Sequence, residues 1–349
     1  MKRLTSALAL ILYLIFLPTL LVSAGIKPGD KCTKLNSTKT VAGYKYTCAK
    51  SGKKLVWSKG VKVAVPSGGA SGSKGSTTST VTTPVSALRV YSKFIPSSYL
   101  KNSPVPLVVL LHGYGSNGVQ IESYMGFRAV AEKNRFILVY PDGTVDPTGR
   151  RFWSATDACC NFFKEFFPEA EDDTYLQSVI TEMETNYSID PKRIFFVGHS
   201  NGGFMSYRMA CKHSDRIAAI ASLAGATFFK STDCAAQNPV TVLQVHGTDD
   251  KTILFDGGNL FGTLYPSANA SAVQWAKFNQ CAQNALSLPT KLDLELNIVG
   301  NETSITSWTN CRNSSEVELW TMDKASHIPA LNSTFANEIW NFFAAHPKP

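Results

Sequence analysis

Metal-binding patterns are missing from this chain of 349 residues. It has no C-x-x-C pair, and no other group of His, Asp or Glu has a convincing metal-ligand spacing. A zinc site is therefore disfavoured, and no cofactor is expected. A membrane-spanning run is missing too, because the apolar segment from Ala7 to Val22 has only 16 residues and contains Pro18. Stable membrane insertion of the mature protein is not expected.

The apolar segment has the flanking residues of a secretory signal peptide. Lys2 and Arg3 precede it, and the small residues of a cleavage site stand at Val22-Ser23-Ala24. We therefore expect residues 1–24 to be removed and the protein to be secreted, with an uncleaved anchor as the alternative. All eight cysteines lie after this segment, and their even number fits disulfides in an oxidising compartment.

The net charge of +8 comes from one region of the chain. Residues 25–63 hold ten lysines and one acid, the first 24 residues add two positive charges, and Lys74 adds one. Residues 85–349 consequently carry a net charge of −4. The expected partner of the basic region is an anionic cell-wall polymer, with plain solvation as the alternative, and nucleic acid is not expected.

The basic region, residues 25–63, is predicted to be a small module. Such a short segment buries little apolar surface, so we expect a Cys32–Cys48 disulfide to stabilise it. Alternating residue types from Tyr44 to Cys48 indicate a hairpin. Residues 64–85 are rich in Gly, Ser and Thr and are predicted to form a flexible linker to residues 86–349.

A G-x-S-x-G pattern stands at Gly198-His199-Ser200-Asn201-Gly202. The β-rich run 193–197 precedes it and a helical segment follows, which is the strand, turn and helix context of a nucleophile elbow. Such a turn lifts the serine hydroxyl above the sheet, and only small residues two positions to either side let strand and helix pack closely. Ser200 is therefore the predicted nucleophile.

A nucleophilic serine needs a base to take its proton and an acid to orient that base, here in the chain order Ser, Asp, His. The strand-like segment 240–245 runs into His246-Gly247-Thr248-Asp249-Asp250, so Asp249 and Asp250 are both candidates for the acid. Of the six histidines, only His327 follows this acid and precedes the last four residues. His327 is the predicted base.

The transition state of acyl transfer also needs donors for the developing oxyanion. The apolar segment 107–111 ends in His112-Gly113-Tyr114-Gly115, an H-G-x-G turn. We expect the backbone amides of Tyr114 and Asn201 to form this oxyanion hole. An ordinary turn at the end of a strand is the alternative.

Predicted strands alternate with predicted helices in residues 86–349. The strands lie near 107–111, 136–140, 193–197, 218–223 and 240–245, and the helices near 119–134, 172–187, 202–213, 267–281 and 335–345. This alternation predicts a single α/β domain with a mostly parallel sheet and helices on both faces.

Residues 86–349 resemble the secreted polyhydroxybutyrate depolymerase and feruloyl esterase family of α/β-hydrolases. The resemblance rests on Leu107 to Gly115, Tyr140 to Gly143, Trp153 with Cys159 and Cys160, Asp172 and Asp173, Val197 to Gly203, and His246 to Asp250. It implies an α/β-hydrolase fold, and the H-G-x-x-D spacing of these enzymes favours Asp250 over Asp249 as the acid. The family pattern also implies disulfides Cys211–Cys234 and Cys281–Cys311, which leaves Cys159 and Cys160 to form a vicinal bridge or to stay reduced.

The loop from Asp146 to Pro168 is expected to carry substrate choice. It is richer in aromatic residues than a solvated loop needs, with Trp153, Phe162-Phe163 and Phe166-Phe167 among them. Its place in the chain and the family resemblance make Trp153 the residue predicted to face the substrate. Packing of these rings over the sheet is the alternative.

Together these predictions indicate a secreted serine carboxylic-ester hydrolase that needs no cofactor. The resemblance implies feruloyl- or acetyl-type esters of polysaccharides, or short-chain polyhydroxyalkanoate polyesters, as substrates, and the aromatic loop favours an aromatic ester. A serine peptidase of the same fold and a non-catalytic wall-binding protein are the alternatives.

Overall fold

The structure is a computed structural model that describes residues 30–34, 37–41, 44–51, 54–58, 61–62, 89, 91–164 and 170–349. The predicted signal peptide, the whole predicted linker, and Phe166 and Phe167 lie outside these residues. The chain divides into two compact units, Met1–Thr80 and Val81–Pro349. The finer division into signal peptide, basic module, linker and catalytic domain stays a prediction.

The described part of the first unit is a small antiparallel sheet. Its strands are β1 (Thr38–Val41), β2 (Tyr44–Ser51), β3 (Lys54–Trp57) and β4 (Val61–Lys62). Strand β2 pairs with each of the other three. Cys48 of β2 is buried, is disulfide-bonded to Cys32, and lies opposite the buried Trp57. The predicted disulfide thus joins Trp57 in the small interior of this unit.

The central sheet of the second unit has nine strands in the described part of the chain. They are β5 (Tyr91–Phe94), β6 (Val105–Leu111), β7 (Ile137–Pro141), β10 (Ile189–His199), β11 (Ala219–Leu223), β12 (Thr241–Gly247), β15 (Leu286–Leu292), β16 (Thr303–Trp308) and β17 (Val317–Met322). Two short hairpins lie outside it, β8 (Thr144–Val145) with β9 (Arg151–Phe152) and β13 (Gly258–Leu260) with β14 (Thr263–Tyr265).

Six neighbouring strands of this sheet run parallel, in the order β17-β12-β11-β10-β6-β7. The strands at the edges, β5 on one side and β16 with β15 on the other, pair antiparallel. The helices are α1 (Gly118–Met125), α2 (Phe127–Asn134), α3 (Asp172–Asn186), α4 (Asn201–Lys212), α5 (Ala268–Phe278) and α6 (Phe335–Ala345).

Both faces of the sheet are covered by helices. Leu107, Val109 and Leu111 of β6 belong to one core with residues of α3, α4 and α5, whereas Val108 and Leu110 belong to another core with residues of α1, α2 and α6. All seven residues of β6 are buried, as expected of a parallel strand between two helical layers. The predicted fold class is therefore confirmed.

Two features of the fold differ from the prediction. The segment 119–134, predicted as one helix, forms α1 and α2, because Gly126 adopts a left-handed conformation (φ 71°) and its amide donates to the carbonyl of Glu122 to end α1. The antiparallel edge strands β5, β15 and β16 were not predicted. Most of β15 is exposed, so it lacks the continuous apolar run that marked the parallel strands.

The cysteines of the second unit are paired as the family resemblance implied. Disulfides join Cys211 to Cys234 and Cys281 to Cys311. Cys159 is bonded to Cys160, the first of the two possibilities left open, and the peptide bond between them is cis. Among the described residues, none of the helices has the length and apolar character needed to span a membrane.

Candidate active site

Ser200 stands at the sharp turn between β10 and α4, with φ of 54° and ψ of −119°. A positive φ is uncommon for a residue that carries a side chain. A Cβ on Gly198 would lie 2.3 Å from the carbonyl carbon of Gly202, and a Cβ on Gly202 would lie 2.2 Å from the carbonyl oxygen of Leu111. Only glycine fits at these two positions, and the turn has the geometry of a nucleophile elbow.

Three polar side chains from separate parts of the chain are in hydrogen-bond contact. Oγ of Ser200 lies 3.0 Å from Nε2 of His327, and Nδ1 of His327 lies 2.7 Å from Oδ2 of Asp250. The three residues follow β10, β17 and β12, which run parallel in one sheet. Because the carboxyl ends of parallel strands lie at the same edge of a sheet, these side chains meet there.

The two candidate acids have different environments. The Asp249 side chain is 63% exposed and pairs with Nζ of Lys251 at 2.7 Å, away from His327. Asp250 is buried, and its Oδ1 accepts from the amides of Thr252 and Ile253, each at 2.8 Å. Burial alone raises the pKa of Asp250, but hydrogen bonds from His246 and His327 outweigh it and hold this pKa well below its usual range. Asp250 is thus the ionised carboxylate that contacts His327.

His246 is a second imidazole at the Asp250 carboxylate. Its Nε2 lies 3.2 Å from Oδ2 of Asp250 and donates to the carbonyl of Ile253 at 2.7 Å. Its Nδ1 accepts from Nε2 of Gln244 at 3.1 Å, and Oε1 of Gln244 accepts from the hydroxyl of Tyr207 at 2.7 Å. The carboxylate is therefore held by a buried polar network in which each of these groups has a partner.

His199 lies next to Ser200 in the chain and contacts the loop that carries His327. Its Nε2 donates to the carbonyl of His327 at 2.8 Å, and its ring packs against the ring of Tyr124. Burial, with a contribution from the charge of His327, lowers the pKa of His199 to about 4. A neutral His199 thus holds the backbone of His327 in place.

The turn predicted to form the oxyanion hole lies beside Ser200. A Cβ on Gly113 would lie 3.4 Å from Cβ of Ser200, which brings the neighbouring Tyr114 backbone close to the serine. Asn201 is the first residue of α4, and the first amides of a helix have no partner inside it. Asn201 therefore lies at the elbow, and the turn that contains Tyr114 lies beside it.

His112 holds this turn in shape. Its Nδ1 donates to the carbonyl of Gly113 at 2.8 Å, and its Nε2 accepts from the amide of Gly143 at 2.9 Å. Burial lowers the pKa of His112 to about 4, so that the ring is neutral and keeps both hydrogen bonds at neutral pH.

Trp153 does not face open space, and the prediction that it contacts the substrate is wrong. The residue is 0% exposed, and its indole N–H donates to the carbonyl of His112 at 3.0 Å. Its backbone amide donates to Oδ1 of Asn201 at 2.7 Å, and its carbonyl accepts from Nδ2 of Asn201 at 2.9 Å. The loop folds inward here, because Asn201 binds its backbone and the indole contacts the oxyanion turn.

Two residues that sequence reasoning missed contact the site. His199 and His246 were considered only as bases and were excluded by their chain positions, yet each contacts a member of the Ser200, His327 and Asp250 group. Because His199 is next to Ser200 and His246 lies four residues before Asp250, their positions in the sequence could have indicated these contacts. In the described part of the chain, no group of three or more His, Cys, Asp or Glu could hold a metal ion.

The sheet, its two helical layers and the elbow define an α/β-hydrolase. The phospholipase/carboxylesterase family matches residues 97–287, more than half of the chain, and the chain belongs to this family. Among solved structures, the acetyl xylan esterase from Aspergillus awamori has a similar fold, with a TM-score of 0.52 and 15% identity, covering 73% of this chain and 93% of that one. The predicted membership in an esterase family of α/β-hydrolases is confirmed.

Curated relatives match more of the chain at low identity. Feruloyl esterase B from Piromyces equi is 27% identical over 247 residues, which is 68% of this chain and 42% of that protein. A bifunctional acetylxylan esterase/xylanase from Neocallimastix patriciarum is 24% identical over 252 residues, which is 71% of this chain and 32% of that protein. The chain thus spans less than half the length of either relative.

Proposed function

We propose that the chain is a serine carboxylic-ester hydrolase. The observation that carries the proposal is the unbroken contact from Ser200 through His327 to the buried Asp250 carboxylate. Asn201 follows the serine at the start of α4, and the turn that contains Tyr114 lies beside it. Membership in the phospholipase/carboxylesterase family and the names of the curated relatives support the same reaction class.

In the proposed reaction, Ser200 Oγ attacks the ester carbonyl carbon while its proton passes to Nε2 of His327. The Tyr114 and Asn201 amides bind the oxyanion of the tetrahedral intermediate. The bond to the alcohol oxygen then breaks, and the alcohol leaves with the proton from His327. Water repeats the sequence on the acyl-enzyme and releases the acid, while Asp250 keeps His327 oriented and stabilises its charged form.

The proposed substrates are those that the family resemblance implied. Feruloyl- and acetyl-type esters of polysaccharides agree with the names of the relatives, and short-chain polyhydroxyalkanoate polyesters are the other candidate. Secretion is part of the proposal, supported by the disulfides of both units. Residues 25–63 are proposed to bind an anionic polymer, supported only by their lysines.

The reaction class can be tested on the purified protein with p-nitrophenyl acetate and a peptide p-nitroanilide. We expect ester turnover that stops after treatment with a serine-directed phosphonate, with the label on the peptide that contains Ser200. A faster reaction on the anilide would favour a peptidase. No turnover and no label on Ser200 would contradict the proposal and favour a non-catalytic protein.

Binding by the basic region can be tested by removing residues 25–84. We expect an unchanged rate on a soluble ester and weaker, salt-sensitive adsorption to an anionic polymer. Equal adsorption with and without these residues would contradict this part of the proposal.

A further inference from the structure

Two imidazole rings contact the same oxygen of the predicted acid. Oδ2 of Asp250 lies 2.7 Å from Nδ1 of His327 and 3.2 Å from Nε2 of His246. In the proposed reaction, His327 takes the proton of Ser200 and becomes positively charged beside this oxygen. A second positive charge at the same carboxylate would oppose the first, because like charges close together disfavour each other. The proposed reaction therefore favours a His246 ring that stays neutral.

The buried side-chain amide of Gln244 fits its surroundings in one orientation. It is 0% exposed and lies between the carbonyl of Gly225 and the hydroxyl of Tyr207. A carbonyl only accepts hydrogen bonds, so the amino group of the amide, Nε2, is the end that faces Gly225, at 2.9 Å. Oε1 then accepts from the Tyr207 hydroxyl at 2.7 Å. Exchanging the two ends would place Oε1 against the Gly225 carbonyl, with no donor between the two oxygens.

This orientation of the amide decides which nitrogen of His246 carries the proton. Nε2 of Gln244 is a donor and lies 3.1 Å from Nδ1 of His246, so Nδ1 is the nitrogen without a proton. The proton of the neutral ring is then on Nε2, which donates to the Ile253 carbonyl at 2.7 Å and faces Oδ2 of Asp250. A charged ring would carry a proton on Nδ1 as well, and two donors would face each other there. Since the ring is 1% exposed, water does not relieve this conflict.

His199, Tyr207 and Tyr265 also face this part of the site, and all three are uncharged at neutral pH. Burial lowers the pKa of His199 to about 4, and burial raises the pKa of each of the two tyrosines. The Asp250 carboxylate is the charge that His246 contacts. Because a carboxylate by itself favours a charged imidazole, the donor at Nδ1 is the group that opposes proton uptake by this ring.

We propose that Gln244 is a positioning residue that keeps His246 neutral, with its proton on Nε2, so that His327 alone becomes charged in the reaction. This inference rests on the proposed function. The proton on Nε2 also holds the backbone that binds the acid. The Ile253 carbonyl accepts from His246, and the Ile253 amide donates to Oδ1 of Asp250 at 2.8 Å. Gln244 thus acts on the acid through the His246 ring.

Long-range ¹H–¹⁵N NMR of the wild-type protein tests the state of the ring directly. Between about pH 7.5 and pH 6, where a free imidazole takes up its proton, we expect His246 to keep a proton on Nε2 and none on Nδ1. Its signals are assigned by their loss in His246→Gln. A charged ring, or a proton on Nδ1 of a neutral ring, would overturn the proposal without any change to Gln244.

Gln244→Glu tests the effect on the reaction, because it keeps the size of the side chain and replaces the donor at Nδ1 by an oxygen that accepts. We expect protons on both nitrogens of His246 and a kcat on p-nitrophenyl acetate about ten- to a hundredfold lower. KM should stay unchanged, because acylation and deacylation both pass through a charged His327. Gln177→Glu is the matched control, since Gln177 is half-buried in α3 and its Oε1 accepts from Arg216 at 2.6 Å. This control should keep the wild-type kcat.

An unchanged kcat in Gln244→Glu, or a lower kcat with the His246 signals of the wild type, would overturn the positioning role. If Ser200→Ala is inactive in that case, the proposed function stands without it. If Ser200→Ala hydrolyses p-nitrophenyl acetate as fast as the wild type, the proposed function itself is contradicted, and the inference falls with it. Circular dichroism checks the fold of each variant, and the wild-type NMR spectrum decides the state of the ring if Gln244→Glu does not fold.

Discussion

At the centre of the site, the Asp250 side chain is buried, and its Oδ1 accepts hydrogen bonds from two backbone amides. Its Oδ2 lies 2.7 Å from His327 and 3.2 Å from His246. In the β13–β14 hairpin, by contrast, Phe261 is 85% exposed and its ring contacts Phe162 of the loop from Asp146 to Pro168. The centre is attached to the ends of parallel strands, whereas these two rings belong to a loop and a hairpin outside the sheet. Changes at the centre should therefore affect the hydrolysis of every ester, and changes at these rings should affect it less.

The largest effect is expected at the nucleophile. Ser200→Ala removes the only atom that forms the acyl-enzyme, so kcat/KM should fall by about 10⁴ to 10⁶ on all esters alike. Steady-state kinetics on an aromatic and an aliphatic ester measure this loss. Activity within tenfold of the wild type on either ester would remove Ser200 from the mechanism.

The acid offers a comparison between neighbours in the chain. Asp250→Asn leaves the side chain in place but removes the negative charge that orients His327, so kcat should fall by about 10⁴. Asp249→Asn is the matched control, because its carboxylate pairs with Lys251 at the surface and should contribute little. Rates measured on p-nitrophenyl acetate decide between them, and a greater loss in the Asp249 variant would mean that the wrong carboxylate was assigned.

Trp153 tests whether a buried ring beside the centre acts on stability or on the choice of ester. Trp153→Phe removes the donor to the buried His112 carbonyl, so the free energy of unfolding should fall by about 1–3 kcal/mol. Since the indole is not exposed, kcat/KM should change by the same factor for methyl 3-phenylpropanoate and methyl butanoate. Denaturant unfolding and the two rates measure this, and a loss confined to the phenyl ester would restore Trp153 as a substrate contact.

A further prediction concerns the protonation of His112 and His199. Burial lowers the pKa of His112 and of His199 to about 4, so both rings should stay neutral at pH 5.5 in the folded protein. In the unfolded chain they take up protons near pH 6.5. Their contribution to stability is therefore present above about pH 6.5 and is lost as the pH falls towards 4, by up to about 1.4 kcal/mol per pH unit for each ring.

Long-range ¹H–¹⁵N NMR of the imidazoles between pH 7.5 and 5 measures this directly. His346 is an internal control, because burial lowers its pKa but the hydrogen bonds that its ring donates to the Glu316 carboxylate and the Phe342 carbonyl outweigh burial and raise it. His346 should protonate first as the pH falls. A midpoint near pH 6.5 for His112 or His199 would mean that water reaches the centre.

Local pattern predicted most of the catalytic geometry. The elbow consists of a strand, two glycines and a helix within a few residues, so Ser200 could be predicted from the local sequence. The order of the elements predicted His327 and limited the acid to Asp249 or Asp250, because residues at the carboxyl ends of parallel strands meet at one edge. The family resemblance then favoured Asp250. In the structure, Oγ of Ser200 lies 3.0 Å from Nε2 of His327, and Nδ1 of His327 lies 2.7 Å from Oδ2 of Asp250.

The aromatic residues could not be assigned in this way. A loop has no period that tells which side chains point inward, and Trp153 and Phe162 lie nine positions apart in the same loop. The inward direction of Trp153 depends on Asn201, whose side chain binds its backbone from another element. Phe261 comes from a hairpin about a hundred residues later in the chain, and its contact with Phe162 exists only in the folded state.

By itself, the sequence determined the class of fold, the nucleophile elbow and the order of the three polar residues, because each depends on short-range periodicity or on the order of elements in a parallel sheet. Only the tertiary structure decided that His246 shares the Asp250 carboxylate, that Trp153 is buried, and that the exposed Phe261 contacts Phe162. These contacts join segments far apart in the chain or side chains in loops, whose orientation is set by packing and not by local backbone preference.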